Sequence, residues 1–151
     1  MPFKVRVEID DSCNDEIIIR CKSITDEVIK LQSLLANTES NEIELELGGQ
    51  IYFVQISKIL FFEASNGKSV AHTNDRMYYT DKKLYELEAV LPKSFLRISK
   101  SCIVNTKAVS SIRRDLTGIG EAFFPNTPKK VYISRGYYKQ FREKINETRL
   151  K

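Results

Sequence analysis

The side chains in this sequence that are best suited to chemistry are cationic and hydroxyl groups, and they cluster near residue 100. Within residues 95–105 the cationic and hydroxyl positions Arg97, Ser99, Lys100 and Ser101 lie between apolar side chains at Phe95, Leu96, Ile98, Ile103 and Val104. Guanidinium, ammonium and hydroxyl groups in such a cluster suit phosphate oxygens and the edges of nucleic-acid bases. An exposed turn between two ordinary core strands would produce the same pattern, so the wider sequence has to distinguish the two.

The charge of the chain is distributed unevenly along its length. The net charge of the 151 residues is +4, but residues 93–151 alone hold 14 Lys and Arg against 4 Asp and Glu. Residues 1–41 and 42–92 each hold 5 basic against 8 acidic side chains. A basic block of this kind indicates a polyanion as partner, although a basic surface can also serve solubility alone.

Enzyme chemistry finds little support in the sequence. The one histidine, His72, lies inside a predicted strand, where a packed residue is more common than a general base. No G-x-S-x-G nucleophile motif or phosphate-binding glycine loop is present. The cysteines Cys13, Cys21 and Cys102 lack C-x-x-C spacing, which argues against a zinc site or disulfides and favours a reducing cytoplasm. Without an 18-residue apolar run no membrane span is predicted, and we expect a cytoplasmic, non-enzymatic protein without cofactor or metal.

The first 41 residues predict a small β-β-α unit. Apolar and charged residues alternate over residues 3–9, and residues 17–21 are rich in β-branched side chains, so both segments are typical of strands. Thr25 is placed to cap a following helix that carries acidic residues in its first turn. The polar segment 37–41 is then a linker, which divides the chain into an N-terminal unit, residues 1–41, and a larger domain, residues 42–151.

The larger domain is predicted to be mostly β with short helices. Alternating or β-branched runs, separated by glycine, asparagine and proline, indicate short antiparallel strands. Asn66-Gly67 is a hairpin signal because both residues tolerate positive φ. Ser134 is placed to cap a last helix, in which Tyr137 and Phe141 begin one apolar stripe. The predicted fold class is therefore α+β, dominated by small antiparallel sheets.

Four motifs in a fixed order give the sequence a specific resemblance. They are Ile59-Leu-Phe-Phe-Glu-Ala-Ser-Asn-Gly-Lys68, Leu84-x-x-Leu-Glu-x-x-Leu-Pro92, Phe95-x-Arg-Ile-x-Lys-Ser-x-x-Val-Asn105 and Val131-Tyr-Ile-Ser-Arg-Gly-Tyr137. With this combination the chain resembles, over residues 42–148, the LytTR family, the LytR/AlgR-type DNA-binding domains of bacterial transcription regulators. The resemblance implies an elongated set of small antiparallel sheets with short helices, which agrees with the strand pattern.

The resemblance also implies that loops, not a recognition helix, enter successive major grooves on one side of bent DNA. The three loops at the family's positions carry the candidate DNA-binding residues Asn66, Lys68 and Ser69, then Arg97, Ser99, Lys100 and Ser101, and finally Ser134, Arg135 and Tyr137. The second loop departs from the His-Asn or Arg-Asn pairs common in the family, and its Lys100 favours guanine or a phosphate. Arg135 matches the family position and is the leading candidate for base reading.

Residues 1–41 are too short for the receiver domain that many family members carry. The chain looks like the stand-alone members, some of which are restrained by a small membrane protein, and we expect the acidic unit to mediate dimerisation or to bind such a regulator. The resulting prediction is a cytoplasmic homodimer that binds double-stranded DNA at repeated half-sites and regulates transcription. Two alternatives stay open: an RNA-binding module that stacks bases on exposed tyrosines, and a protein-interaction domain whose basic face meets an acidic partner.

Overall fold

A computed structural model describes residues 4–36 and 42–149 of the chain. These residues fall into two compact units, which divide between Asn41 and Glu42. In the first unit, helix α1 (Asp26–Ala36) carries two acidic residues in its first turn. The Thr25 hydroxyl oxygen accepts a hydrogen bond from the Val28 backbone N–H at 3.3 Å. The helix and its predicted cap are therefore confirmed.

The two strands predicted within residues 1–41 are not formed in the part of this unit that the structure describes. Residues 4–24 carry no strand, and Val5, Val7 and Ile9 are 91%, 83% and 92% exposed. An alternating sequence selects the face that a strand would bury, but a strand forms only where a neighbour takes up its backbone hydrogen bonds. The predicted β-β-α unit is thus corrected to a helix preceded by irregular chain, while residue 3 and the predicted linker 37–41 lie outside the described residues.

A seven-stranded antiparallel sheet organises the second unit. Its strands are β1 (Glu42–Leu47), β2 (Gln50–Gln55), β3 (Phe61–Ser65), β4 (Lys68–His72), β5 (Met77–Thr80), β6 (Phe95–Ser99) and β7 (Cys102–Asn105). In space they follow the order β2-β1-β5-β4-β3-β7-β6, with every neighbouring pair antiparallel. A short helix, α2 (Leu84–Val90), connects β5 to β6. The prediction of a mostly β fold with short helices is confirmed.

A three-stranded sheet and a longer helix complete this unit. The strands β8 (Ser111–Arg114), β9 (Gly120–Phe123) and β10 (Lys130–Ile133) form an antiparallel sheet in the order β10-β9-β8. Helix α3 (Arg135–Arg149) begins one residue after β10. In its apolar stripe Phe141 is fully buried and Tyr137 is half-buried, as the spacing predicted.

Two hydrophobic clusters use alternate side chains of the central strands. Phe62 packs in one cluster with residues of α2, whereas its neighbour Phe61 packs in the other with residues of the second sheet and α3. Since successive side chains of a strand point to opposite faces, the two clusters lie on opposite faces of the seven-stranded sheet. The middle of the sheet is consequently packed on both faces, whereas the end of β3 and the turn after it are exposed.

Candidate nucleic-acid interface

The first and second candidate loops meet at the same end of the seven-stranded sheet. The first is the β3–β4 hairpin, in which Asn66 and Gly67 have φ angles of 51° and 80°, as the predicted turn requires. The second is the turn between β6 and β7. Because β3 and β7 are antiparallel neighbours, the turn after β3 lies beside the turn before β7. The Ala64 backbone N–H donates to the Ser101 carbonyl at 2.9 Å across this end.

The third candidate loop is tied to the second by hydrogen bonds. Ser134, between β10 and α3, donates its backbone N–H and its hydroxyl to the Ile98 carbonyl, at 3.0 and 3.3 Å. Ile98 lies in β6, directly before the second loop. Strand pairing and these two hydrogen bonds therefore bring together three segments that are far apart in the sequence.

In the first loop the structure separates two exposed residues from a buried one. Asn66 is exposed, and the Lys68 side chain is 52% exposed with its Nζ 3.7 Å from Asp81 Oδ1, an exposed pair that contributes little. Ser69 is only 1% exposed, and its hydroxyl donates to the Lys82 carbonyl at 2.7 Å. The first two side chains are available to a ligand. Ser69, which the sequence placed among the DNA-binding residues, is buried and supports the hairpin from inside.

In the second loop the Arg97 side chain braces the backbone. Its Nε donates to the Ser99 carbonyl at 3.0 Å and its Nη2 to the Lys100 carbonyl at 2.8 Å, while Nη1 pairs with Glu88 of α2. The side chain is only 25% exposed. A register shift between Arg97 and Ser99 interrupts the β6–β7 pairing here, so the guanidinium replaces part of the lost ladder. Arg97 therefore holds the loop in shape, which the sequence did not predict.

The remaining residues of this loop form its outer surface. Lys100 and Ser101 are exposed, and Ser99 is half-buried with its hydroxyl oxygen accepting from the Ser101 backbone N–H at 3.3 Å. A backbone carbonyl would repel a phosphate. Arg97 already donates hydrogen bonds to two of the carbonyls in this loop, those of Ser99 and Lys100. The ammonium group of Lys100 is thus the principal charge that this loop offers to a ligand.

In the third loop the structure distinguishes Arg135 from Tyr137. Arg135 is exposed and is the first residue of α3, so it stands at the N-terminus of that helix. Tyr137 is half-buried and packs against the hydrophobic cluster below α3. Arg135 is therefore free to contact a ligand, and the ring of Tyr137 contributes mainly to packing.

The sequence did not single out the hairpin loop between β8 and β9, residues 115–119, which the structure places beside Arg135. A Cβ atom on Gly118 would lie 3.2 Å from Arg135 Cδ, so the two segments are in contact. Gly118 has a φ of +91°, a conformation that side-chain-bearing residues rarely adopt. In the sequence, Gly118 indicates a turn at this position, but it does not indicate which residues the turn contacts.

The tyrosines considered for base stacking are mostly engaged in packing. Tyr78 is 7% exposed within the core, and Tyr138 packs beneath the guanidinium of Arg114, whose Cζ lies 4.3 Å from the ring centroid. Tyr79 is 37% exposed. Of the four candidate rings, Tyr78, Tyr79, Tyr137 and Tyr138, only Tyr79 therefore presents a substantial surface. Tyr85 and Tyr132, which were not candidates, are 71% and 55% exposed.

A cleft of about 640 Å³ lies below the second and third loops and holds His72 and Cys102. His72 Nε2 lies 2.6 Å from Glu63 Oε1, the ring stacks on Phe61 at 4.2 Å, and burial lowers the pKa of the imidazole. Burial raises the pKa of the Cys102 thiol to about 12, so the thiol stays protonated and unreactive at neutral pH. Among residues 4–36 and 42–149, no cluster of three or more His, Cys, Asp or Glu side chains could hold a metal ion.

None of the helices in the described parts of the chain is long and apolar enough to cross a membrane.

The described helices never follow one another directly, since β1–β5 separate α1 from α2 and β6–β10 separate α2 from α3. A helix-turn-helix reader, which needs two consecutive helices, is therefore not formed by these residues.

Known proteins share both the sequence pattern and this fold. The family model of the LytTr DNA-binding domain matches residues 49–146. Two Staphylococcus aureus proteins, from strains bovine RF122 / ET3-1 and NCTC 8325, are called uncharacterized HTH-type transcriptional regulators. They are 31% and 30% identical to this chain over 97 residues. Those alignments cover 64% of this chain and 65% of each relative, so the chain spans slightly less than two thirds of their length.

A solved structure agrees with the sequence comparison. It is the LytTr DNA-binding domain of a Bacillus cereus protein described as a methyl-accepting/DNA response regulator. It superposes on this chain with a TM-score of 0.65 and 25% identity, and covers 70% of this chain and 96% of that domain. With the family model matching well over half of its residues, the chain belongs to the LytTR family of DNA-binding domains.

Proposed function

We propose that this chain is a sequence-specific transcription regulator that inserts its loops into successive major grooves of double-stranded DNA. The observation that carries the proposal is the convergence of exposed Asn66, Lys68, Lys100 and Arg135 at one end of the sheet. Cationic and amide side chains are those that pair with phosphates and with the edges of guanine and adenine. The relatives named as transcriptional regulators support the regulatory part of the proposal.

Within this interface we assign base reading to Arg135 and anchoring to its neighbours. The guanidinium fork of Arg135 can donate two hydrogen bonds to guanine O6 and N7. The free N–H groups at the start of α3 suit a phosphate oxygen beside that base. Lys100 contacts guanine or a phosphate, and Lys68 neutralises a phosphate on the flanking turn of the duplex. The bracing of the second loop by Arg97 keeps Lys100 in position before DNA arrives.

Selection from fragmented genomic DNA tests the proposal. The purified protein is incubated with the fragments at ~150 mM salt, where non-specific binding is typically only about 10⁻⁴–10⁻⁶ M. A recovered motif repeated at about one helical turn is the expected result. Weak retention of all fragments without a motif, or equal competition by RNA or heparin, would contradict it.

The variant Arg135→Ala tests the assigned base reading. It should cost about 1–3 kcal/mol of binding free energy and relax preference at one base position. Lys58→Ala is the matched control, because Lys58 is exposed, carries the same charge and precedes β3 at the opposite end of the sheet. An equal loss on all sequences would reduce Arg135 to a phosphate contact.

We further propose that the protein acts in the cytoplasm as a homodimer and that residues 1–41 make the dimer contact or bind a small membrane-protein regulator. The support is the row of exposed apolar side chains at Val5, Val7 and Ile9, which no described neighbour covers. Replacing all three by serine in the full chain should convert a dimer to a monomer in light scattering while leaving the second unit folded. A variant that stays dimeric and still binds its regulator would refute this role.

A further inference from the structure

The hairpin loop formed by residues 115–119 lies on the same side of the molecule as the candidate DNA-binding loops. In the second sheet Gly120 pairs with Arg114 on one side and with Ile133 on the other. The loop therefore sits next to the end of β10, where Ser134 and Arg135 follow. Ile119 of the loop lines the same cleft as Ser99, Ser101, Ser134 and Arg135. The loop is thus adjacent to both the second and the third candidate loops.

Hydrogen bonds within the loop give it a defined shape. Asp115 Oδ1 accepts from the backbone N–H groups of Thr117 and Ile119 at 2.8 and 3.1 Å, and the Asp115 carbonyl accepts from Gly118 N–H at 3.1 Å. Leu116 lies within this turn and is fully exposed. The hydrogen-bonded turn therefore holds the Leu116 side chain in solvent, in a loop that contacts Arg114 and Arg135.

Contacts between the loop and its surroundings place a second guanidinium next to that of Arg135. Arg114 donates from Nε to the Gly118 carbonyl at 3.3 Å, and its Cζ lies 4.3 Å from the centroid of the Tyr138 ring. A Cβ on Gly118 would lie 3.2 Å from Arg135 Cδ and 3.6 Å from Arg114 Nη2. The two arginines thus approach Gly118 together, and a side chain there would separate the loop from both of them.

We propose that the loop is a fourth DNA contact, in which Leu116 packs on the 5-methyl group of a thymine and Arg114 neutralises a neighbouring phosphate. This inference rests on the proposed function, because it assumes that Arg135 enters a major groove. Thymine is the one base that presents a methyl group in that groove, and apolar side chains recognise it by contact. Placed beside Arg135, the exposed leucine would meet the groove within a few base pairs of the base that Arg135 reads.

Replacing single thymines by deoxyuridine tests the leucine contact directly, since this change removes only the methyl group. The probe is the duplex motif recovered from genomic selection, with each thymine replaced in turn. We expect one position at which wild-type affinity falls about fourfold, the effect of one buried methyl group. For Leu116→Ser that position should no longer respond, and affinity for the unmodified probe should match wild-type affinity for the modified one. An identical response of both proteins at every position would overturn the leucine contact.

The salt dependence of binding tests the arginine contact. Arg114→Gln should reduce the slope of log affinity against log salt concentration by about 0.9, whereas Arg114→Lys, which keeps the charge, should preserve it. Arg113→Gln is the matched control, because this neighbour on β8 is paired with Glu121 (Nε to Oε2, 2.9 Å) and should leave the slope unchanged. Equal slopes for Arg114→Gln and wild type would overturn the phosphate contact.

The outcomes separate this inference from the function on which it rests. If wild-type protein selects a motif and the Leu116 and Arg114 variants bind it as wild type does, only the fourth contact fails. If wild-type protein selects no motif, the proposed function fails and the fourth contact fails with it. Far-UV circular dichroism checks that each variant is folded, which the exposure of Leu116 and Arg114 leads us to expect.

Discussion

Replacing Arg97 by glutamine should weaken DNA binding even though this guanidinium contacts no DNA in our proposal. Its hydrogen bonds to the Ser99 and Lys100 carbonyls, at 3.0 and 2.8 Å, shape the second loop from within the protein. Glutamine keeps a polar side chain of similar reach near the backbone but cannot engage both carbonyls and Glu88 together. The variant should therefore loosen the loop that presents Lys100.

The expected magnitude follows from the contacts that are lost. Hydrogen bonds from a charged donor contribute about 1.5–3 kcal/mol each, and the 25% exposure of the side chain lets water replace part of this. The ion pair with Glu88 adds at most about 1 kcal/mol, because both partners are partly exposed. We expect the free energy of unfolding to fall by about 2–3 kcal/mol. Affinity for DNA should fall roughly tenfold to a hundredfold, because reordering one or two loop residues costs about 1–2 kcal/mol each.

Urea unfolding and a salt titration of DNA binding measure the two effects. Glu88→Gln is the matched control, since it removes the ion pair and leaves both carbonyl hydrogen bonds, and it should change the unfolding free energy by less than about 1 kcal/mol. Because Arg97 neutralises no phosphate in this account, the salt slope of Arg97→Gln should equal that of wild type. A slope reduced by about 0.9 together with wild-type stability would refute the bracing role.

Three further predictions concern the core and the cleft. Phe141→Ala should lower the free energy of unfolding by about 3–5 kcal/mol in urea, because the ring is fully buried below α3, and a loss under 1 kcal/mol would contradict the packing. Burial lowers the pKa of His72 in the folded state, so the unfolded state binds its proton more readily; stability should be complete above pH 6.5 and fall as the pH drops below that ordinary value. His72→Gln should flatten this dependence, and an equally steep decline would show that other groups cause it. Ellman's reagent should titrate exposed Cys13 and Cys21 in the native protein and Cys102 only after unfolding, whereas three fast thiols would contradict the burial of Cys102.

Local features of the structure could be predicted from the sequence because local rules govern them. The hairpin at Asn66-Gly67 needs two residues that tolerate positive φ, and the sequence supplies both at adjacent positions. The stripe that includes Phe141 follows from the period of the helix, and the cap at Thr25 follows from the side-chain preference of that position. The order of motifs identified the family, and with it the fold.

The availability of each candidate side chain could not be predicted in this way. Ser69 and Lys68 are adjacent residues that both carry hydrogen-bond donors, yet Ser69 is buried against the Lys82 carbonyl and Lys68 reaches solvent. Arginine is a common phosphate ligand, and only the hydrogen bonds of Arg97 to the Ser99 and Lys100 carbonyls show that its donors are taken by the loop backbone. Such differences depend on partners that are distant in sequence, so periodicity carries no information about them.

The N-terminal residues also show that a sequence pattern does not determine whether a strand forms. Their alternating pattern states which side chains a strand would bury, but pairing needs a neighbour, and the described residues of that unit form none. By itself, then, the sequence determined the local turns, the helix faces, the basic character of the last two fifths and the family. Only the tertiary structure decided which polar groups reach solvent and that residues 115–119 lie beside Arg135, because both depend on contacts between segments that are separated in the sequence.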